Sequence, residues 1–238
     1  MTGMPPAAKA LPWTRLFRMS RAALTTSAAR RPGSRGWSPL ALLCAVALFP
    51  LTAAAADTPP TAPIEALNAA LVTADKTGSQ PFQSRYDALA PAVDHAFNLS
   101  QILQSIIGLR WAQIPADQQA KLLAVFRAFT ISSYAANFKS DSGVQFRMLP
   151  EMRNVGADVV VESEIVPKEG TDPVRMDYVM RRGADGWQAV DVLQLGTISQ
   201  SAVQRSDFRG VLNNGGAPKL IESLQQKVDT LSGGTIKP

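Results

Sequence analysis

Residues able to do covalent or acid–base chemistry are sparse in this chain. His95 is the sole histidine, so any imidazole-dependent mechanism must pass through it. It stands beside Asp94 and two residues before Phe97 in a helical stretch, where a solvent-facing structural histidine is the simpler reading. No serine occupies a G-x-S-x-G nucleophile elbow. The one cysteine, Cys44, lies in an apolar run near the N-terminus and not in a polar cluster that would activate a thiolate. A metal site would have to be assembled from one histidine and scattered carboxylates, and none is expected. Gly215-Gly216 follows a helix and not a strand, so it lacks the context of a phosphate-binding loop. No cofactor is expected.

Asp191 is the one acid with a case to weigh. Flanked by Val190 and Val192 on a strand, it has two readings. As a buried carboxyl with a raised pKa it would serve as a lone acid, as in cone-shaped α+β isomerases. As a structural acid it would pair with Arg205 or hydrogen-bond the turn from Gly196 to Ser199. We favour the structural reading, so the chain is not expected to be an enzyme.

The stretch that presents Asp191, Trp187 to Phe208, reads as a strand running into a helix. Arg182 to Gly186 (RGADG) makes a turn. Trp187 to Leu195 is rich in aromatic and β-branched residues with few polar interruptions, which predicts a central strand. Gly196 breaks it, Thr197 and Ser199 offer N-cap oxygens, and Ala202 to Leu212 is helical until Asn213-Asn214-Gly215-Gly216.

At these residues the chain resembles the MlaC-like family, the periplasmic phospholipid-shuttle proteins also described as toluene-tolerance proteins. The residues that carry the resemblance are Trp187, Val190, Asp191-Val192, Gly196-Thr-Ile-Ser199, Arg205 and Phe208, with Arg85-Tyr86, Pro91 and Phe97 upstream. GTISQ followed by VQRSDF is most similar to the branch encoded beside hopanoid biosynthesis genes; Gln204 departs from the aromatic expected there. The resemblance implies a periplasmic lipid carrier moving phospholipid between an inner-membrane transporter complex and an outer-membrane lipoprotein complex. A hopanoid ligand, or a non-carrying adaptor of a hopanoid or lipid transporter, is the alternative.

The elements around this stretch follow from charge and period. Residues 1–56 hold seven Lys or Arg and no acid, then the apolar run Leu40 to Leu51 and small residues to Ala56. That is a cleaved secretory signal, with Asp57 as the first mature residue. Cys44 leaves with it. Of 24 basic and 19 acidic residues, 17 and 19 remain, a net charge of −2. No dense Lys/Arg cluster beyond Arg181-Arg182 remains to bind nucleic acid. Residues 57–238 are expected to form a single lipid-binding domain behind a mobile proline-rich leader, 57–63.

Ile64, Leu67 and Leu71 recur at helical spacing up to Gly78. Pro81 opens a second helix and Pro91 a third short one. Asn98 caps a fourth with the stripe Leu99, Ile102, Leu103 and Ile106, ended by Gly108. Pro115 starts a long helix whose face carries Leu122, Phe126, Phe129 and Ser133. From Gly143 the period becomes two. Val144, Phe146 and Met148, then Val159, Val161, Ser163 and Ile165, then Val174, Met176, Tyr178 and Met180 each define one strand face. Pro218 to Leu231 is a closing helix. The fold class is α+β: an antiparallel sheet of about four strands packed against a helical layer, with an apolar pocket between. The lipid-binding wall is expected from Val159, Val161, Met176, Tyr178 and Met180 on the sheet, facing Ile102, Ile106, Phe126 and Phe129 on the helices. The methionines suit an adaptable apolar surface.

Overall fold

The computed structural model describes residues 58–139, 141–167 and 172–238. The export signal read at 1–56 lies outside the described residues, as do residues 168–171 of the expected Lys168–Pro173 turn. In order, the described elements are α1 (Ala62–Lys76), α2 (Phe82–Ala96), α3 (Leu99–Ile107), a 3-10 turn (Gly108–Gln113) and α4 (Ala116–Asn137). There follow β1 (Gln145–Val155), β2 (Asp158–Val166), β3 (Val174–Gly183), β4 (Gly186–Gln194), β5 (Ile198–Ser199), α5 (Gln200–Asn213) and α6 (Gly216–Ser232). The class is α+β, as expected, with a two-residue fifth strand added to the sheet.

Local chemistry explains the helix ends. Proline in the first turn of α1 needs no hydrogen bond for its missing N–H, so the helix begins at Ala62 and takes Ala62 and Pro63 out of the expected leader. Asn98 caps α3, its side chain accepting from the Gln101 amide at 3.0 Å. Pro91 does not start a new helix. It sits inside α2 on the exposed face, as does Asp87, whose carbonyl loses its intrahelical donor but faces solvent, so the helix continues.

Arg85 of α2, only 7 % exposed, ties the α1–α2 loop to α4. Its guanidinium donates to the carbonyls of Gly78, Gln80 and Ala135. Gly78 is required there because a Cβ would lie 2.0 Å from the Lys139 carbonyl oxygen.

The sheet order is β1-β2-β3-β4-β5, antiparallel throughout. Pro150 is tolerated because β1 is an edge strand and the register shifts between Met148 and Met152. β4 is next to last and not central. Its apolar sequence has another cause: beyond the reach of β5, its outer edge is covered by the α2–α3 junction. Phe97 bridges Ala189 in parallel, and the Asn98 amide donates to the Ala189 carbonyl at 3.0 Å.

Register also fixes the faces. Val159 pairs with Met180 and Val161 with Tyr178; Tyr178 pairs with Val192 and Met176 with Gln194. This face packs on the helices, and its buried residues Val161, Tyr178, Met180 and Ala189 belong to one core with α1 to α6. The opposite face carries charge. Glu162 and Asp177, with side chains 3 % and 0 % exposed, are held by Arg153 and Arg175. Two buried carboxylates against two guanidiniums make a balanced cluster, which burial demands.

Candidate functional site

The interior between the sheet and the helices gathers most of the expected wall. Ile106, Phe126, Val161, Tyr178 and Met180 are between 0 % and 3 % exposed and Ile102 is 9 % exposed, all in one apolar cluster. Met176 and Phe129 pack on it half-buried. Phe129 turns towards α6, with the Lys227 ammonium 5.6 Å from its ring centre. Val159 is half-buried near the β1–β2 hairpin and stands outside the cluster.

A row of aromatics crosses the same interior, and two of its members, Tyr134 and Phe138, are ones that the sequence reading passed over. Tyr178 lies 6.3 Å from Phe97, Phe97 6.1 Å from Tyr134, Tyr134 6.4 Å from Phe138, and Phe138 5.8 Å from Phe146, measured between ring centres. The available signal was the four-residue spacing of Tyr134 and Phe138 on one helix face. Phe126 meets Phe208 of α5 edge-on at 6.5 Å. Burial pushes the Tyr178 hydroxyl well above its ordinary pKa, and likewise that of Tyr134, where the nearby Tyr178 adds to the effect. Both phenols are therefore neutral, and the interior carries no charge from them. Such a surface suits alkyl chains.

Asp191 is placed by a bulge. Val179 pairs with Asp191 but Met180 with Ala189, so Val190 is an extra residue in β4. The bulge reverses the alternation: Ala189, Val192 and Gln194 face the helices, while Asp191 lies on the other side. There it accepts hydrogen bonds from the Val192 amide at 2.8 Å, the Ser201 amide at 3.0 Å and the Ser199 hydroxyl. Ser199 in turn caps α5, accepting from the Ala202 amide at 3.0 Å. Of the two structural partners expected, the turn is correct and Arg205 is not. Arg205 donates to the Ser105 carbonyl of α3 at 3.1 and 2.7 Å. His95 is exposed on α2.

A concavity of about 360 Å³ opens between α2, α4 and the C-terminal residues, lined by Tyr86, Arg127, Ile236 and Lys237 among others. None of the nine expected wall residues lines it. Its guanidinium is committed: Arg127 donates to both Asp94 oxygens, at 2.7 and 2.6 Å, which raises its pKa further. Among the described residues no group of His, Cys, Asp and Glu is placed to hold a metal ion, and no helix is long and apolar enough to cross a membrane.

No protein of curated function matches the chain. In three dimensions it is similar to a phospholipid-binding protein from Ralstonia solanacearum, solved in complex with a phospholipid. The TM-score is 0.64 at 20 % identity, over 74 % of this chain and 99 % of that one, which shows a shared fold. The sequence profile of the MlaC protein matches residues 63–226, from the first turn of α1 into α6. On that match the chain belongs to the MlaC family.

Proposed function

We propose that the protein is a periplasmic carrier that holds phospholipid and passes it between an inner-membrane transporter complex and an outer-membrane lipoprotein complex, with no catalytic step. Family membership, matched over residues 63–226, carries this reading. It is supported by the phospholipid held by the Ralstonia protein of the same fold and by the apolar cluster between sheet and helices. The hydrogen bonds of Asp191 favour a structural acid over the isomerase alternative.

The acyl tails lie between Val159, Val161, Met176, Tyr178 and Met180 of the sheet and Ile102, Ile106, Phe126 and Phe129 of the helices, with the headgroup towards solvent. One saturated tail of about 16 carbons, at roughly 0.8 kcal/mol per methylene, contributes on the order of 13 kcal/mol of gross transfer free energy before ordering costs. A cationic side chain on that wall opposes the tail directly. Met176→Lys and Phe126→Arg test this, each read by phospholipid co-purification and by melting temperature. Met176 is half-buried, so its lysine reaches water and the fold persists while lipid is lost. A wild type without lipid, or a folded Met176→Lys that keeps it, contradicts the site. Recovery of a hopanoid favours the hopanoid carrier instead.

A further inference from the structure

Four large apolar side chains stand out in solvent among the described residues, and Leu109, at 95 % exposed, is far beyond the other three at 51–56 %. Its position is built. α3 ends at Gly108, whose φ of +67° turns the chain out of the helix, and the 3-10 turn Gly108–Gln113 carries Leu109 at its start. Arg110 beside it is exposed, and Trp111 is half-buried against the core. Gln119 of α4 fastens the turn, its side-chain amide donating to the Trp111 carbonyl at 3.0 Å and the Ile114 carbonyl at 2.8 Å. Leu109 is thus held away from the core by a braced loop.

α5 brings positive charge to the same end. α3 and α5 leave β4 side by side, one tied at Asn98 to Ala189 and the other at Ser201 to Asp191. They remain in step at Ser105 and Arg205, which are joined by the two guanidinium hydrogen bonds. One more turn, about 6 Å along, brings α5 to the exposed Arg209 and α3 to the Leu109 turn. Arg205 and Arg209, four residues apart, share a helix face, whereas Asp207 between them points away. Asp117, the acid nearest the turn in sequence, faces Lys121 at 3.9 Å. Three arginines therefore lie at the same end of α3 and α5 as one apolar tip, in a unit (residues 57–238) whose net charge is −2.

We propose that the Gly108–Gln113 turn is a membrane-contact element. Leu109 enters the acyl region of an anionic lipid surface, Trp111 lies at the interface, and Arg110, Arg205 and Arg209 face lipid phosphates. A single apolar tip with arginines at the same end of the fold fits a fluid, negatively charged surface. A stable protein partner needs about 800 Å² on each side, well beyond this tip. The proposal concerns where the protein touches a bilayer and does not rest on what it carries inside.

The test uses residues 57–238, whose core lies wholly within Thr58–Pro238, and phosphatidylcholine vesicles with and without phosphatidylglycerol. The expected result is sedimentation with the anionic vesicles, weakened by salt. Leu109→Ser lowers the partition coefficient about tenfold or more, and Arg110→Glu together with Arg209→Glu abolishes the preference for phosphatidylglycerol. Melting temperatures stay unchanged, because these side chains are exposed. In a Trp187→Phe background Trp111 is the sole tryptophan of 57–238, and its emission shifts to the blue on vesicles. No vesicle binding, or undiminished binding by Leu109→Ser, overturns the proposal; so does a turn whose substitutions weaken only capture of a protein partner. Lipid retained inside the same samples is measured in parallel. Failure to bind vesicles with lipid still inside sinks the contact element alone, and vesicle binding by protein that never carries lipid sinks the carrier reading alone.

Discussion

Asp191→Ala separates a structural acid from a lone catalytic one. In the wild type two carboxylate oxygens serve three donors: the Val192 amide, the Ser201 amide and the Ser199 hydroxyl. Alanine removes all three acceptances and loosens the serine that caps α5. Hydrogen bonds to a charged acceptor contribute about 1.5–3 kcal/mol each when buried. Asp191 is half-buried, so water recovers part of that and the net loss is about 3 kcal/mol. In a domain of this size that lowers the melting temperature by about 6–12 °C. Asparagine keeps one oxygen for the two amides and loses only the Ser199 bond, for about 1 kcal/mol and 2–4 °C. The assay is thermal unfolding of 57–238 for both variants and for Ser199→Ala. The double variant Asp191→Ala with Ser199→Ala is expected to cost less than the sum of the singles, because they share a bond. If Asp191→Ala melts within about 2 °C of wild type, the anchor role is refuted and the catalytic reading regains its ground.

Two further predictions follow from buried polar groups. Burial raises the Tyr178 pKa above its ordinary value of 10.0, so above about pH 10 the unfolded chain releases a proton that the folded one keeps. Stability is therefore flat below that pH and falls above it, by up to about 1.4 kcal/mol per pH unit for each such tyrosine. Tyr178→Phe lowers the slope in alkaline denaturation by about a third to a half, with Tyr134 and, more weakly, Tyr86 supplying the rest; an unchanged slope contradicts it. On the outer sheet face, Arg175→Met leaves Glu162 and Asp177 to Arg153 alone. A loss of about 2–3 kcal/mol is expected in urea titration, and no loss means the cluster is not cooperative.

The helices and strand faces were legible because period and punctuation carry them: Asn98, Gly108 and Pro115 mark ends, and alternation from Gly143 onward names the inner face. Eight of the nine expected wall residues meet in the core or pack on it. What escaped depends on context. The bulge at Val190 is one extra residue in an otherwise regular apolar run, yet it moves Asp191 to the opposite face. Pro91 reads as a helix boundary, but a proline on the wet side of α2 costs little. Tyr134 and Phe138 were skipped because a long helix offers several faces and only packing selects one. The Glu162–Asp177 cluster unites residues from neighbouring strands with arginines from β1 and β3, a cross-strand relation that spacing along one strand does not show.

Native mass spectrometry of residues 57–238, purified from the periplasm without added lipid, tests the carrier assignment most directly. A folded protein is expected whose mass exceeds the polypeptide's by that of a phospholipid, released on activation, together with a Met176→Lys variant at the bare mass. A wild type found only at the bare mass contradicts it.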